Sequence, residues 1–206
     1  MVLAMFVDAG RADLLGALAG GRVFVTPTVL DPDETPPFAQ QPTAEFAKGT
    51  FYFQQRLGLP VDAVRHHRRV AFYSARGNAW RPIELSTDEL GMTAHLLNPS
   101  TWEQAAQIAP SVRVKRIDRG EAECAAVALT RKWTLWSDDA AIVALLSALH
   151  PDHPFERIND LLARGVRENL IGCNAASELY NDVFKGQLKL WTRLVLGCEN
   201  GELVVQ

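Results

Sequence analysis

Acidic residues stand in this sequence at points where predicted strands end or a predicted helix begins. The set is Asp8, Glu121, Glu123, Asp138 and Asp139. Asp8 directly follows an apolar run at residues 2–7, and the aspartate pair follows residues 133–136; both runs are predicted strands. Side chains just beyond the carboxyl ends of parallel strands meet in one crevice. We therefore expect these acids, together with one of the glutamates that open a helix, to share one site.

Several carboxylates in one crevice repel each other, and their pKa values rise unless a cation compensates the charge. Carboxylate oxygens select Mg²⁺ or Mn²⁺, held largely through water. Such ions generate a hydroxide nucleophile and stabilise the leaving oxygen in phosphodiester hydrolysis. The sequence has no G-x-S-x-G element or Cys/His signature that would supply a nucleophilic side chain, in agreement with water as the nucleophile. The pattern therefore predicts a metal-dependent phosphodiesterase.

The two glutamates belong to one predicted helix at residues 122–132, opened by a Gly-Glu pair. Glu121 and Glu123 lie about 200° apart around a helix axis, so we do not expect both to face one site. The helix face of Glu121 continues with alanine and leucine, whereas the face of Glu123 includes threonine and arginine. We predict that Glu121 points inward. The pattern does not separate Asp138 from Asp139, and both remain candidates.

Each acid also has a structural interpretation. Asp8 could cap a helix predicted at residues 11–19, because aspartate is a favoured N-cap residue. Asp138 or Asp139 could cap the apolar helix predicted at residues 140–149 in the same way. The glutamates stand in a first helical turn, where the helix dipole favours negative charge. The shared position at one sheet edge is what favours a metal site over separate caps.

The remaining elements alternate between helices and strands. Strand–helix–strand is predicted for residues 2–7, 11–19 and 23–25, followed by a proline-rich loop from residue 31. Capping-box patterns at Ser86 and Ser100 predict two helix starts. Other predicted elements are helices at 44–57 and 61–74, a strand at 112–114, C-terminal helices broken at Gly172 and Gly186, and a strand at 203–205.

Three segments together resemble the PIN-domain family of ribonucleases: VDAG at the start, GEAECAAVAL at residues 120–129 and LWSDDAAIVALL at residues 135–146. The resemblance implies a Rossmann-like, three-layer α/β/α PIN-like domain with a mostly parallel central sheet and a helical insertion. It implies one domain over residues 1–206, with the insertion at 31–100 and a helical C-terminal extension at 151–206. It further implies Mg²⁺ or Mn²⁺, cleavage of single-stranded RNA, a toxin role with an antitoxin protein as partner, and a homodimer.

By that resemblance Asp8 is the first acidic residue of the family pattern, Glu121 the third, and Asp138 or Asp139 the fourth. Glu123 stays in the candidate ligand set. The second acidic position departs from the pattern, because Asp31 stands one position early, with a proline-rich loop after it. The arginine that often follows the aspartate pair is also missing. These departures suggest an alternative function, a PIN-like protein- or RNA-binding module that has lost catalysis.

Charge and cysteine content limit the other possibilities. With 21 basic and 24 acidic residues the net charge is −3, so a uniformly basic nucleic-acid coat is excluded, although a local patch is not. The candidate RNA contacts are Arg65, Arg68, Arg69, Arg113, Lys115 and Arg116; a basic run is also typical of a solvated helix face. The three cysteines lack a C-x-x-C pair and predict free thiols in a cytoplasmic protein. No apolar run approaches the roughly 20 residues of a membrane span.

Overall fold

A computed structural model describes residues 2–20, 23–29, 80–110, 117–188, 190 and 192–206. The helices predicted at 44–57 and 61–74 and the strand predicted at 112–114 lie outside these residues. The chain divides into two compact units. Of the described residues, those within 25–29 and 82–156 belong to the middle unit, and those within 2–24, 80–81 and 157–206 belong to the terminal unit.

The described residues alternate between helices and short strands. The helices are α1 (Val2–Asp8), α2 (Ala12–Leu18), α3 (Thr87–Leu97), α4 (Pro99–Ile108), α5 (Arg119–Arg131), α6 (Ala140–Leu149), α7 (Ile158–Arg167) and α8 (Cys173–Glu178), the last continued by a π-helix (Leu179–Gln187). The strands are β1 (Val23–Val25), β2 (Trp80–Pro82), β3 (Leu135–Trp136), β4 (Phe155–Glu156), β5 (Leu196–Glu199) and β6 (Glu202–Val205). None of these helices is long and apolar enough to cross a bilayer.

The described strands form three two-stranded sheets, β1–β2, β3–β4 and β5–β6. Strands β3 and β4 are parallel, with Leu135 opposite Phe155, and β5 and β6 form an antiparallel hairpin. The described fold is therefore a mixed helix and strand fold, broadly of the α/β class. These residues do not show one continuous central sheet, and the three-layer arrangement stays a prediction.

The core of the middle unit is built around α5, which packs against α3, α6 and β3. Its alanines, including Ala122, Ala125 and Ala126, are fully buried, and side chains this small let a neighbouring helix approach closely. Helix α6 contributes Ile142 and Leu145 to the same core. Because alanine side chains allow neighbouring helices to approach closely, α5 can occupy the centre of the core although its own side chains are small.

An ion pair joins α3 to the end of α5. The side chain of Glu89 is 1% exposed, and its two carboxylate oxygens accept from Arg131 Nε at 2.5 Å and Nη2 at 3.0 Å. The Arg131 guanidinium also lies 5.0 Å from the ring centroid of Trp133. The hydrogen bonds from Arg131 hold the pKa of the Glu89 carboxyl below its usual range, against the effect of burial. The pair therefore fixes a buried charge between the two helices.

The capping patterns explain how α3 and α4 begin. Ser86 caps α3, since its Oγ accepts from Glu89 N, and the Glu89 carboxylate accepts from Ser86 N at 2.7 Å; the predicted helix start is confirmed. The start predicted at Ser100 is wrong by two residues. Asn98 caps α4 by accepting from Ser100 N at 3.0 Å, and Pro99 occupies the first helical position, where its missing N–H is not needed.

The strand predicted at residues 2–7 is wrong, because this run forms helix α1. Five of its residues are buried, it packs against α2, and the Phe6 ring lies 5.1 Å from that of Phe184 between centroids. A fully apolar run of this length carries no periodicity that separates a buried strand from a buried helix. Asp8 is consequently the last residue of a helix rather than the residue after a strand.

The prediction of free thiols is wrong for two of the three cysteines. Cys173 and Cys198 form a disulfide with Cα atoms 5.7 Å apart, which connects α8 to β5 in the terminal unit. Cys124 is a free thiol in α5, and its Sγ lies 3.5 Å from Thr26 Oγ1. Sequence spacing alone could not reveal the pair, because the two positions are separated by 25 residues and meet only through the fold.

Candidate functional site

The aspartate pair follows β3, as the sequence predicts. Asp139 caps α6, because its Oδ1 accepts from Ala141 N at 2.7 Å. Asp139 N in turn donates to Ser137 Oγ at 3.2 Å. The cap orients the Asp139 side chain at the carboxyl end of the parallel strand pair. A carboxylate has several acceptor sites, so a single cap bond leaves room for coordination by the same group.

Glu156 is a further acid at this edge that the sequence analysis missed. It ends β4, directly opposite Trp136. Trp136 Nε1 donates to Glu156 Oε2 at 2.8 Å, and Ser137 N donates to Glu156 O at 3.1 Å. The signal that could have revealed it is the Pro-Phe-Glu run at residues 154–156, a very short strand ending in an acid. Glu156 thus lies at the end of β4, beside the end of β3 that leads into Asp138.

The glutamates of α5 do not face the way the sequence predicts. Glu123 is the buried one, at 1% exposure, whereas Glu121 is half-buried. Glu121 accepts from Asp118 N at 3.1 Å and so takes part in capping the start of α5. The prediction that Glu123 lies on a wetter face is therefore wrong. The two glutamates do lie on different faces of α5, but partners that are distant in the sequence decide which face points inward.

The carboxylate of Glu123 is held by two neighbours. Its Oε1 accepts from Thr28 Oγ1 at 2.7 Å and from Arg119 Nε at 2.9 Å, and its Oε2 accepts from Thr28 N at 3.1 Å. The Arg119 side chain is 44% exposed and the Glu123 side chain 2% exposed. These bonds fasten the segment after β1 to helix α5, so Glu123 acts as an anchor between two parts of the candidate site.

The remaining predicted residues are distributed as follows. Asp8 belongs to the terminal unit, whereas Glu121, Glu123, Asp138 and Asp139 belong to the middle unit. Asp31 lies outside the described residues, and so do the basic candidates Arg65, Arg68, Arg69, Arg113, Lys115 and Arg116. Within the described part of the chain, no group of three or more His, Cys, Asp or Glu side chains is arranged to hold a metal ion.

Two histidines flank the turn that leads from α6 into β4. Burial lowers the pKa of His153, with a further contribution from His150 that exceeds the opposing effect of a hydrogen bond to the Trp133 backbone. Burial, followed by His95, lowers the pKa of His150. His153 Nε2 is buried and has no hydrogen-bond partner among the described residues. The fold therefore favours the neutral form of both rings.

This arrangement predicts a loss of stability as the pH falls below about 6.5. Because the folded pKa values lie below those of the unfolded chain, the two rings stabilise the fold fully above about pH 6.5, and this contribution is lost as the pH falls through the folded values. Urea unfolding at several pH values should show a smaller decline in His153→Leu than in the wild type. An identical decline in the variant would contradict the prediction.

Comparison of the chain with family models, with curated proteins and with solved structures gives no match. The functional assignment therefore depends on the residues themselves.

Proposed function

We propose that this protein is a metal-dependent endoribonuclease of the PIN type that hydrolyses phosphodiester bonds of single-stranded RNA. The observation that supports it best is the Thr28–Glu123 contact. The contact places the segment after β1 beside α5, the helix that carries the GEAE motif. A PIN-type site needs this segment and this helix as neighbours. The position of Asp138 and Asp139 after a strand that pairs in parallel gives further support.

The donor types of the middle unit suit Mg²⁺ or Mn²⁺, although the described residues do not bring three such side chains together to hold an ion. Glu121, Asp138 and Asp139 would supply carboxylate oxygens, the ligands these hard ions prefer. Glu123 does not fit as a direct ligand, because its buried carboxylate already accepts three hydrogen bonds. By the resemblance, Asp31 joins this set. A bound ion would supply a hydroxide nucleophile and stabilise charge on the leaving oxygen.

The residues of this chain have separate tasks in the proposed reaction. Asp139 is oriented by its cap bond to α6, which limits the rotamers its carboxylate can adopt. Glu123 holds Thr28, and with it the start of the segment that leads to Asp31. The negative charge of the acids repels an RNA phosphate, so the basic residues Arg113, Lys115 and Arg116 are proposed to offset this repulsion. A cytoplasmic location, a homodimer and an antitoxin partner belong to the same proposal.

The test is a cleavage assay on single-stranded RNA with Mn²⁺. Asp138→Asn should lower the rate at least roughly 100-fold, because a carboxamide is a poor ligand for the ion. Asp152→Asn, at an exposed aspartate near β4, is the matched control and should retain the wild-type rate. The melting temperatures of both variants should stay near wild type. Wild-type activity in Asp138→Asn would overturn the assignment.

A second function, a PIN-like binding module without catalysis, is favoured by one specific observation. The carboxylate of Glu123, an acid of the GEAE motif, is already held by Thr28 and Arg119. A Mn²⁺ titration followed by thermal unfolding separates the two functions. A nuclease site should raise stability by about 2.7 kcal/mol at a hundredfold excess over the dissociation constant. The binding module should show no such shift and no Mn²⁺-stimulated cleavage.

A further inference from the structure

Strands β3 and β4 are only two residues long each, so the backbone ladder between them is short. Leu135 N donates to Pro154 O at 3.1 Å, and Ser137 N donates to Glu156 O at 3.1 Å. A two-stranded pairing of this size is marginal without further support. The direction in which the chain leaves β3 towards Asp138 therefore depends on additional contacts between the two strands.

One such contact joins the side chains of Trp136 and Glu156, which stand opposite each other in the parallel register. Trp136 Nε1 donates to Glu156 Oε2 at 2.8 Å, and both residues are half-buried. The preceding pair, Leu135 and Phe155, packs into the core of the middle unit. Because side chains alternate between the two faces of a strand, the indole and the carboxylate meet on the face of the sheet opposite that core.

Glu156 holds the end of β3 at two atoms. Its carbonyl oxygen accepts from the Ser137 backbone, and its carboxylate accepts from the Trp136 side chain. A hydrogen bond to a carboxylate is about twice as strong as one between neutral groups. The residue after Ser137 is Asp138, the proposed metal ligand, and Asp139 beyond it is fixed by its cap on α6. The chain is thus restrained on both sides of Asp138.

We propose that Glu156 is a positioning residue, which fixes Trp136 at the end of β3 and thereby the direction of Asp138. The inference rests on the proposed function, because it assigns Glu156 a task in that metal site. Glu156 acts through the chain and does not itself contact the ion. A ligand that is already held in its binding direction loses less conformational freedom when the ion binds, so the affinity for the ion is higher.

The experiment measures kcat and KM for cleavage of single-stranded RNA at several Mn²⁺ concentrations. Glu156→Ala removes the acceptor for Trp136 Nε1, and Trp136→Phe removes the donor but keeps an aromatic ring. Each should lower kcat roughly tenfold and raise the half-saturating Mn²⁺ concentration by a similar factor, with KM for RNA little changed. Glu156→Gln should keep most of the wild-type rate, since its amide oxygen also accepts a hydrogen bond.

Trp102→Phe is the matched control, because Trp102 Nε1 donates to Leu96 O at 2.7 Å between α4 and α3 rather than between β3 and β4. This variant should lower the melting temperature without changing the Mn²⁺ dependence of the rate. The double variant Trp136→Phe/Glu156→Ala should lose no more activity than either single variant, since both changes remove the same bond. Circular dichroism at the assay temperature checks that each variant is folded.

Different results overturn the proposal and the function on which it rests. An unchanged kcat and Mn²⁺ dependence in Glu156→Ala and Trp136→Phe, with an active wild type, would remove the positioning role and leave the nuclease assignment standing. A loss in Glu156→Gln together with a wild-type rate in Trp136→Phe would make Glu156 a direct ligand of the ion instead. A wild type that neither binds Mn²⁺ nor cleaves RNA would overturn both the proposed function and this inference.

Discussion

Replacing Arg131 by methionine should lower the free energy of unfolding by about 3–5 kcal/mol, because it leaves the Glu89 carboxylate buried without a counter-charge. Glu89 is 1% exposed and depends on Arg131 for two hydrogen bonds. Loss of the stacking of Arg131 on Trp133 adds to the effect. Urea unfolding at pH 7 with an unchanged m-value measures the loss.

Two controls distinguish the loss of the buried ion pair from the removal of a positive charge elsewhere in the chain. Arg11→Met removes an exposed pair, in which Arg11 is 34% and Asp13 75% exposed, and should cost less than about 1 kcal/mol. The double variant Glu89→Leu/Arg131→Met should be more stable than Arg131→Met alone, since no charge is left unpaired. A loss below 1 kcal/mol in Arg131→Met would show that Glu89 is solvated.

The same pair fixes the direction of a pH effect. The pKa of Glu89 is lowered in the folded protein, chiefly by hydrogen bonding to Arg131. Its contribution to stability is therefore fully present above the unfolded value of about 4.3 and is lost as the pH falls through the folded value. Arg131→Met should remove this acid-dependent loss. The decline at higher pH that we attribute to the histidines should persist in this variant.

Replacing Glu123 by alanine should lower the free energy of unfolding by about 3 kcal/mol, since it strips the partners from Thr28 N, Thr28 Oγ1 and Arg119 Nε. Thr28→Val removes only the hydroxyl donor and should cost about 1–2 kcal/mol. Because the two residues touch, the double variant should lose less than the sum of the single losses. Chemical unfolding of all three variants tests this, and strictly additive losses would contradict the anchor.

A second variant at Glu123 distinguishes an anchoring role of this residue from a role as a metal ligand. In Glu123→Gln the stabilisation by Mn²⁺ should persist, whereas Asp138→Asn should abolish it. The physical reason is that the Glu123 carboxylate is 2% exposed and already accepts three hydrogen bonds. Loss of the Mn²⁺ effect in Glu123→Gln, with the fold intact by circular dichroism, would return Glu123 to the ligand set that the sequence predicts.

Local signals predicted the elements that carry their own start or stop chemistry. The helix at Ala140–Leu149 and the strand at Val23–Val25 have the bounds the sequence predicts. The α3 start at Ser86 follows from a capping box, and the break at Gly172 precedes α8. In each case neighbouring residues decide the local structure, so a short window of sequence is enough to predict it.

Features that depend on distant partners were not predictable in this way. The apolar run at α1 has the same composition as a buried strand, and only its packing against α2 decides its form. Glu123 points inward because Thr28 meets it from 95 positions away. The disulfide and the Trp136–Glu156 contact have the same origin. The sequence gives the positions of the candidate acids along the chain, but it does not reveal the side chains that they contact.

The two parts of the terminal unit are translated at different times. This unit combines Val2–Phe24 with Arg157–Gln206, which is translated later. At about 5–20 residues per second, the N-terminal helices wait on the order of ten seconds for their packing partners. Helix α1 is almost wholly apolar, so the nascent chain exposes a hydrophobic segment throughout this interval. The core helices of the middle unit are all translated within this interval.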